Sequence, residues 1–286
     1  MFSGFLQKRY DELFDEATIK GLSKPLLQAI RVNTQKIPER ELVRRLSKKG
    51  VSLLKIPWLS CGYFVKKAPF SMGATPEYLL GHYFIQDPAS QYACEALGPK
   101  KGEMVLDMAA APGGKTTYLA QILKESGAVV SLDINKDRMK ALTSNIERMG
   151  LSNVVTIRMN ALDAGSLGIK FDRVLLDAPC TGTGTVHKNP EAAKKKASDV
   201  SNCTALQKPL LEAGLTVLKK GGTLVYSTCS VLPEENEQIV SGALKRGFGL
   251  KNIEHGAPAL NDMKGAKRFY PSVHGTQGFF VAKIQR

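Results

Sequence analysis

The sequence predicts an α/β fold in which a small α+β unit precedes a mostly parallel, doubly wound sheet of seven strands. Short apolar runs alternate with amphipathic stretches from residue 101 onward, which is typical of strands joined by crossover helices. With 286 residues, of which 43% are hydrophobic, the chain is long enough for one large domain and a smaller one. We expect residues 1–99 to form the smaller region and residues 100–286 the larger domain.

The N-terminal region is predicted from its apolar periodicity. Charged and apolar residues at helical spacing indicate two short helices before residue 30. A strand at Ala29 to Asn33, an amphipathic helix at Glu39 to Lys49 and a strand at Gly62 to Val65 then follow. Residues 29–68 are therefore expected to form a β-α-β-like unit, and the Asp87-Pro88 pair is expected to open a further helix.

The larger domain is predicted to contain seven strands, each a short apolar run bounded by turn or polar residues. They are Met104 to Met108, Val129 to Asp133, Val154 to Met159, Arg173 to Asp177, Thr223 to Thr228, Leu250 to Ile253 and Gly278 to Ile284. In an open parallel sheet, ligands bind at the carboxyl ends of the strands. The residues that follow these strands are therefore candidates for a functional site.

The charge of the chain indicates a polyanionic partner. The chain has 40 Lys and Arg against 26 Asp and Glu, a net charge of +14, although many basic proteins are merely soluble. Ten basic residues and two acidic ones lie between Arg31 and Lys67. A solvated helix face usually mixes both signs, so this segment favours a surface that contacts phosphates.

Composition also limits where the protein works. No apolar run reaches membrane-spanning length and the N-terminus lacks a hydrophobic signal segment, so we expect a cytoplasmic protein with no membrane partner. The five cysteines are widely spaced and form no C-x-x-C pair, which indicates neither a zinc site nor a disulfide framework. We expect a monomer without a metal ion.

A glycine-rich loop follows the first strand of the larger domain. The strand begins with Val105 and Leu106, and Pro112, Gly113 and Gly114 remove side-chain bulk where the backbone turns into a helix. The start of that helix leaves free N–H groups and the positive end of the helix dipole. An anionic or polar ligand can therefore lie against this loop.

Four interpretations of the loop are open. A phosphate-binding P-loop has its Gly-Lys-Thr half here, but Ala109 stands in place of its first glycine. The G-x-G-x-x-G spacing of a dinucleotide-binding loop is absent. The first βα loop of an S-adenosylmethionine-dependent methyltransferase needs small residues and an acid at the end of the next strand, where Asp133 stands. A purely structural turn needs fewer glycine and proline residues than this loop has.

Two cysteines follow neighbouring strands of the predicted sheet. Cys180 comes three residues after Asp177 in Asp-Ala-Pro-Cys, and Cys229 lies in Tyr-Ser-Thr-Cys-Ser. A free cysteine taken alone is more often a small core residue than a catalytic one. Two of them at strand ends, one beside an acid and a proline turn, favour catalysis and predict that both thiols lie at the same edge of the sheet.

Three motifs carry a specific resemblance: D-M-A-A-A-P-G-G-K-T, D-A-P-C-T-G-T-G and Y-S-T-C-S. They are similar to motifs of the RNA cytosine-5 methyltransferases, the family named for bacterial ribosomal methylase B, nucleolar protein 2 and the Sun proteins. The likeness runs from about residue 31 to the C-terminus and includes R-V-N, Q-D-P-A-S and R-F-Y-P-S-V-H-G-T-Q-G-F-F. It implies a Rossmann-like class I methyltransferase fold after an RNA-contacting N-terminal region. The chain departs from the family pattern at Ser272 and Gln277, where a histidine and an acid are common.

The resemblance implies chemistry that uses two thiols. Carbon 5 of cytosine is too poor a nucleophile to take a methyl group until a thiolate adds to carbon 6, and the resemblance gives that addition to Cys229. It implies that Asp177 hydrogen-bonds the Watson–Crick edge of the flipped cytosine and that Cys180 takes part in release of the carbon 5 proton. Loss of Cys180 should then trap a covalent protein–RNA adduct. Cytosine-5 DNA methylases lack the second cysteine, so the Thr-Cys-Ser pattern favours RNA.

The resemblance also implies S-adenosyl-L-methionine as the cofactor. The glycine loop is expected to contact its methionine part, Asp133 its ribose hydroxyls, and either Asn160 or Asp163 its adenine. The residues expected to bind the cofactor are Ala109, Ala110, Ala111, Pro112, Gly113, Gly114, Lys115, Asp133, Arg138, Asn160, Asp163 and Asp177.

RNA is the expected partner, and transfer RNA is the favoured substrate because the chain has no room for a separate long RNA-recognition domain. A ribosomal RNA methylase of the same chemistry is one alternative. An RNA-binding or assembly factor without activity is another, against which the two cysteines, Asp177 and the glycine loop argue. The residues expected to bind RNA are Arg31, Asn33, Lys36, Arg44, Arg45, Lys188 and Arg268. Lys188 lies in a stretch that is either a mobile segment over RNA or the exposed start of a helix.

Overall fold

The computed structural model describes all 286 residues and contains ten α-helices. They are α1 (Gly4–Leu13), α2 (Glu16–Gly21), α3 (Glu39–Lys48), α4 (Pro76–Leu79), α5 (Pro88–Leu97), α6 (Gly114–Leu123), α7 (Lys136–Met149), α8 (Ala197–Val217), α9 (Glu237–Lys245) and α10 (Pro271–His274). Several begin at a polar side chain that accepts a hydrogen bond from the first turn, such as Ser3, Asp87 and Asn135. No helix is both long enough and apolar enough to cross a membrane.

Thirteen strands complete the regular structure. They are β1 (Ala29–Val32), β2 (Ser52–Lys55), β3 (Gly62–Lys67), β4 (Tyr83–Ile85), β5 (Met104–Asp107), β6 (Ala128–Asp133), β7 (Val154–Arg158), β8 (Phe171–Asp177), β9 (Leu218–Thr228), β10 (Gly249–Lys251), β11 (Ala257–Pro258), β12 (Lys267–Phe269) and β13 (Phe279–Gln285).

The chain forms two compact units, one of which is Leu27–Ala161. This unit contains a four-stranded sheet in the order β2-β3-β1-β4, in which β1 is antiparallel to both β3 and β4. It also contains β5, β6 and β7, which are parallel and are connected by α6 and α7. Strands β5 and β6 are buried at Val105, Leu106 and Leu132, which explains their continuous apolar runs, whereas β7 is partly exposed.

The second unit combines Met1–Leu26 with Leu162–Arg286. Its strands β8 and β9 are parallel and are connected by α8, and β13 pairs with β9 in the antiparallel direction. The short strands β10 and β12 both pair with β13, and β11 pairs with β12. Helix α1 packs in this unit through Leu6 and Tyr10, which form a buried cluster with Val231 and Leu232.

The α/β fold class predicted from the sequence is confirmed, with differences of detail. Residues 29–68 form antiparallel strands and not a β-α-β unit, because β2 returns beside β3 and the partners of β1 are β3 and β4. The sequence analysis did not assign α8, nor the strands β2, β4, β11 and β12. All four of these strands have four residues or fewer, and β2 is only half-buried, so they contribute too few apolar positions to form a pattern.

Candidate active site

Two thiols meet at the carboxyl ends of β8 and β9. The Sγ atoms of Cys180 and Cys229 lie 3.3 Å apart, within hydrogen-bonding distance for sulfur, and both side chains are partly exposed. Parallel pairing brings them together, because Asp177 at the end of β8 is in register with Ser227 of β9. The backbone N–H of Gly184 also donates to the Cys229 carbonyl over 2.9 Å, which ties the two loops to each other.

The surroundings of Cys180 disfavour its thiolate form. The hydrogen bond to Cys229, burial and the Glu235 carboxylate together raise the pKa of the Cys180 thiol well above its ordinary value. Cys180 therefore keeps its proton more firmly than an ordinary cysteine. The thiolate is the nucleophilic form of cysteine, so the raised pKa of Cys180 favours the other thiol of the pair, Cys229, as the nucleophile.

The Asp177 carboxylate stands beside this pair. Ser227, which is fully buried, donates its hydroxyl to Oδ1 of Asp177 over 2.8 Å. Asp177 itself is partly exposed, so its carboxylate is oriented from below and still accessible to a ligand. The structure thus brings Cys180 and Cys229 together, as the sequence predicts, and places Asp177 at the end of β8. The catalytic and binding roles of the three residues stay predictions.

The glycine loop of the other unit has the shape of a ligand cradle. The residue before helix α6 is Gly113, and no side chain caps the N–H groups at the start of the helix. Gly113 has a φ of +105°, and a Cβ atom there would lie 3.0 Å from Cδ1 of Leu142, so only glycine fits this position without strain. Buried Ala110 and Ala111, with the exposed Pro112, complete the turn. Small side chains and uncapped N–H groups fit a ligand with an anionic end, such as the carboxylate of S-adenosylmethionine.

Three of the predicted cofactor-binding residues contact one another at this loop. Asp133 is buried and accepts hydrogen bonds from the backbone N–H groups of Ala111 (3.2 Å) and Asn135 (2.9 Å). Arg138 donates to the Ala111 carbonyl and lies 3.5 Å from Oδ2 of Asp133. Each carboxylate oxygen can accept a further hydrogen bond, so Asp133 also fits the hydroxyls of a ribose.

The remaining predicted cofactor residues are less closely grouped. Ala109 and Lys115 are partly buried on either side of the turn, and Gly114 begins α6. Asn160 lies partly buried beyond the end of β7, while Asp163 is exposed in a 3₁₀ turn at Ala161–Leu167. Their assignment to the cofactor stays a prediction.

The prediction that Arg31 and Asn33 contact RNA is wrong for this structure, because both side chains are fully buried. Arg31 donates to Oε1 of Gln86 (2.6 Å), to the Gly114 carbonyl (2.7 Å) and to Oγ1 of Thr117 (2.9 Å). Asn33 donates to the carbonyls of Gly81 and Met149. Arg31 therefore supports the glycine loop from below, a role that a basic residue in a basic stretch does not reveal.

The same correction applies to Arg268. It is only 1% exposed and forms a buried ion pair with Glu237 in which Nη2 and Oε2 are 2.5 Å apart. Its Nη1 donates to the Val231 carbonyl. No face of the guanidinium is left for RNA, so Arg268 serves to hold the C-terminal strands in place.

The other predicted RNA-binding residues are exposed. Lys36 donates to the carbonyls of Leu80 and Arg148, and Lys188 donates to Oε1 of Gln277. Arg44 and Arg45 share the carboxylate of Glu41 on α3. Contact of these four side chains with RNA stays a prediction.

A buried polar cluster that no sequence pattern predicts lies beneath the thiols. Glu235, Asn236 and Gln207 are each fully buried. The run Glu-Glu-Asn-Glu from residue 234 reads as an acidic first turn of an exposed helix, and Gln207 carries no signal at all because its partners are distant in the sequence. No group of three or more His, Cys, Asp and Glu side chains is placed to hold a metal ion.

Comparison with protein families gives matches over nearly the whole chain. Residues 94–285 match the family model described as 16S rRNA methyltransferase RsmB/F. Residues 3–88 match the model for the N-terminal domain of 16S rRNA methyltransferase RsmF. Among curated proteins, the chain is 37% identical to a mouse 28S rRNA (cytosine-C(5))-methyltransferase over 96% of its own length and 37% of that protein. It spans between about a third and three fifths of the length of the curated relatives it matches.

Solved structures share the fold closely. A methyltransferase homologue from Pyrococcus horikoshii is 43% identical, with a TM-score of 0.91 over 98% of this chain and 94% of that one. NSun6 from Pyrococcus horikoshii, solved with SFG, is 28% identical with a TM-score of 0.92 over 99% of this chain and 98% of that one. These structures cover both compact units, so the methyltransferase architecture extends over the whole chain.

Proposed function

Because the chain belongs to the RsmB/F family of RNA cytosine-C5 methyltransferases, we propose that it transfers a methyl group to carbon 5 of a cytosine in RNA. The observation that carries the proposal is the pair of sulfur atoms 3.3 Å apart at the carboxyl ends of β8 and β9. A nucleophile and a separate base are what substitution at this unreactive carbon needs.

The reaction begins at Cys229. Its thiolate adds a sulfur lone pair to carbon 6 of the cytosine, and the electron pair of the C5–C6 double bond moves to carbon 5 and into the ring. Asp177, oriented by Ser227, donates a hydrogen bond from its carboxyl group to nitrogen 3 on the Watson–Crick edge, where negative charge develops. Carbon 5 thereby becomes nucleophilic enough to take up a methyl group.

The second half of the reaction uses Cys180. Once Cys229 is bonded to carbon, it no longer accepts the Cys180 hydrogen bond, which is the largest cause of the raised pKa of Cys180. Cys180 can then lose its proton to water and remove the hydrogen from carbon 5. That C–H electron pair restores the C5–C6 double bond, and the C6–S pair leaves with Cys229 as thiolate. The resting pair is regenerated.

S-Adenosyl-L-methionine, when bound, supplies the methyl group as an electrophilic sulfonium. The glycine loop and Lys115 hold its methionine part, and Asp133 accepts hydrogen bonds from its ribose hydroxyls. The uncapped start of α6 and the buried carboxylate of Asp133 support this assignment, as does the SFG in the NSun6 structure.

The RNA substrate has two candidates. Transfer RNA is the substrate that the sequence analysis favours. Ribosomal RNA is favoured by the relatives, since the matching family models and the mouse relative are all named as rRNA methyltransferases. Exposed basic residues such as Lys36, Arg44 and Lys188 are candidates to contact the phosphates of either RNA.

The test uses the full chain with S-adenosylmethionine that carries a tritiated methyl group, and with tRNA or ribosomal RNA from cells that lack the gene. We expect tritium in 5-methylcytosine with the wild-type protein, and in only one of the two RNA pools. Cys229→Ser should transfer no methyl group and form no adduct. Cys180→Ser should accumulate a protein–RNA adduct that survives denaturing electrophoresis, because carbon 5 keeps its proton and Cys229 cannot leave.

Absence of 5-methylcytosine in both pools, or an adduct that forms equally well in Cys229→Ser, would contradict the proposal. Cys203→Ser is the matched control, because Cys203 is a third partly exposed thiol of the same unit. It should methylate at the wild-type rate and form no stable adduct. The monomeric state and the cytoplasmic location stay predictions.

A further inference from the structure

We propose that two consecutive buried residues, Glu235 and Asn236, set the distance between the two reactive sulfur atoms. Glu235 holds the loop of Cys180 and Asn236 holds the loop of Cys229. The inference rests on the proposed function for its catalytic meaning, and both are positioning residues because neither reaches the reacting atoms.

Glu235 fixes the residues on both sides of Cys180. Its carboxylate accepts from the backbone N–H of Thr181 (2.9 Å), from the Thr181 hydroxyl (2.5 Å) and from Nε2 of Gln207 (3.1 Å). The same Gln207 amide donates to the Pro179 carbonyl over 2.9 Å. The backbone is therefore held at positions 179 and 181, which leaves Cys180 little freedom to move.

Asn236 does the same for Cys229. Its Oδ1 accepts the Thr228 hydroxyl over 2.5 Å, and its Nδ2 donates to the Ser230 carbonyl over 2.9 Å. The Ser230 N–H donates in turn to the Thr228 hydroxyl. The positions on either side of Cys229 are thus held by one amide group, as those beside Cys180 are held by one carboxylate.

The two anchors belong to one rigid segment. Glu235 and Asn236 are joined by a peptide bond, are both fully buried, and are fixed from β9 by the Tyr226 hydroxyl, which donates to the Glu235 carbonyl over 2.7 Å. Glu235 makes no ion pair, so three neutral donors satisfy a carboxylate that is costly to bury. Core packing alone does not require such a group, whereas a fixed separation of two loops does.

The distance between the sulfur atoms of Cys180 and Cys229 can be tested without RNA. Phenylarsine oxide binds two thiols at once: two As–S bonds form, both thiol protons and the arsenic-bound oxygen leave as water, and no redox change occurs. It bridges only sulfurs that are close together. We expect it to bridge Cys180 and Cys229 in the wild-type chain, and peptide mapping after alkylation should find these two cysteines protected together.

The variants are Glu235→Gln and Asn236→Asp, with Glu234→Gln as the matched control. Glu235→Gln puts an NH₂ donor where the carboxylate accepts, and Asn236→Asp puts an acceptor against the Ser230 carbonyl. Glu234 is the adjacent residue, but its carboxylate pairs with Arg9 and touches neither cysteine loop. Should Glu235→Gln fail to fold, Thr181→Val removes only one of the three donors to Glu235.

In the folded variants of residues 235 and 236 we expect arsenical affinity to fall about tenfold, which corresponds to about 1.4 kcal/mol. The kcat for methylation should fall about 100-fold, with KM for RNA within about twofold of wild type, because misplacement of reacting groups affects the transition state and not RNA binding. Glu234→Gln should match the wild type in each measurement.

Wild-type arsenical affinity in both variants, or an equal loss in Glu234→Gln, would overturn the inference. A wild-type chain that binds the arsenical at this pair but methylates no RNA would contradict the proposed function instead. The two failures are therefore distinguishable, because the arsenical measures the sulfur spacing and the methyl transfer measures the reaction.

Discussion

Arg31 is a buried cation whose hydrogen bonds go to neutral groups. Its guanidinium donates to Gln86, to the Gly114 carbonyl and to Thr117, and it lies 4.6 Å from the centre of the Tyr118 ring. A carbonyl, an amide oxygen, a hydroxyl and an aromatic face replace the water that the charge loses. Because Gly114 and Thr117 lie in the first turn of α6, Arg31 couples β1 to the loop expected to hold the cofactor.

Substitution of Arg31 should therefore affect stability and not RNA binding. We expect Arg31→Met to lower the free energy of unfolding by about 3 kcal/mol, because it removes three hydrogen bonds of a buried guanidinium and leaves Oε1 of Gln86 without this donor. Arg44→Met, at an exposed position on α3, should change stability by less than about 0.5 kcal/mol and reduce the salt dependence of RNA affinity. Urea denaturation and RNA titrations at several salt concentrations measure both. A stable Arg31→Met with reduced salt dependence would restore Arg31 as an RNA contact.

Two substitutions should distinguish the contribution of the Asp177 side chain itself from the contribution of its orientation by Ser227. Asp177→Asn should lower kcat about 100-fold or more, since the carboxyl group that donates to the developing charge is replaced by an amide, a much weaker donor. Ser227→Ala removes only the hydroxyl that donates to Asp177 and should lower kcat about tenfold, the value of one oriented hydrogen bond. Single-turnover methyl transfer measures both rates. Equal rates for Ser227→Ala and wild type would show that Asp177 needs no such support.

At the scale of elements, the loop after Cys180 runs unusually close to the start of β13. The N–H of Gly278 donates to the Gly184 carbonyl over 2.8 Å, and a Cβ atom on Gly184 would lie 2.1 Å from the Gly278 carbonyl oxygen. The T-G-T-G part of the cysteine motif thus reflects a backbone contact between a loop and a strand. Neither backbone can withdraw without moving Cys229, whose carbonyl accepts from Gly184.

Gly184→Ala should destabilise the protein by about 2 kcal/mol, because the added methyl group overpacks this contact. It should also slow methyl transfer, since the displaced loop carries Cys180. Gly165→Ala is the control, as a Cβ atom there meets nothing within 4 Å. Urea denaturation of both variants tests this expectation. If Gly184→Ala proved as stable as Gly165→Ala, the close approach would have no energetic consequence.

At the scale of the whole molecule, buried cysteine thiols and tyrosine hydroxyls should make the folded protein less stable at alkaline pH. Burial raises the pKa of Cys203 to about 11 and that of Tyr83 to about 12, and it raises the pKa of Tyr226 well above its ordinary value. The hydrogen bond to Cys229 raises the pKa of Cys180 well above its ordinary value. These groups add stability while they are protonated in both the folded and the unfolded state, which holds below about pH 9.

Stability should consequently be lost as pH rises from about 9 to 11, since the unfolded chain releases protons that the folded chain must keep. We expect the Tm to be nearly constant between pH 7 and 8.5 and then to fall. Cys203→Ser should reduce this fall in Tm, because it removes one of the groups whose pKa is raised by folding. Calorimetric scans from pH 7 to 11 measure this, and a Tm that stays level through pH 10.5 would contradict it.

Several features of the protein follow from neighbours in the sequence. The apolar runs before Asp107, Asp133 and Asp177 predict buried parallel strands, and the Pro-Gly-Gly stretch predicts the tight turn into α6, because periodicity and turn chemistry are local properties. The two cysteine motifs predicted that the thiols meet, since neighbouring parallel strands end at one edge. The family resemblance then indicated the chemistry.

Only the tertiary structure decided which polar residues are buried and what they hold. Arg31 and Arg268 look like surface cations in the sequence, and Glu235 and Asn236 look like the exposed start of a helix. The side-chain hydrogen-bond partners of Arg31, Arg268 and Glu235 are 28 to 86 residues away in the sequence. The two loops that Glu235 and Asn236 anchor meet only after β8 and β9 pair. Burial and distance arise from contacts between remote segments, and no local pattern records them.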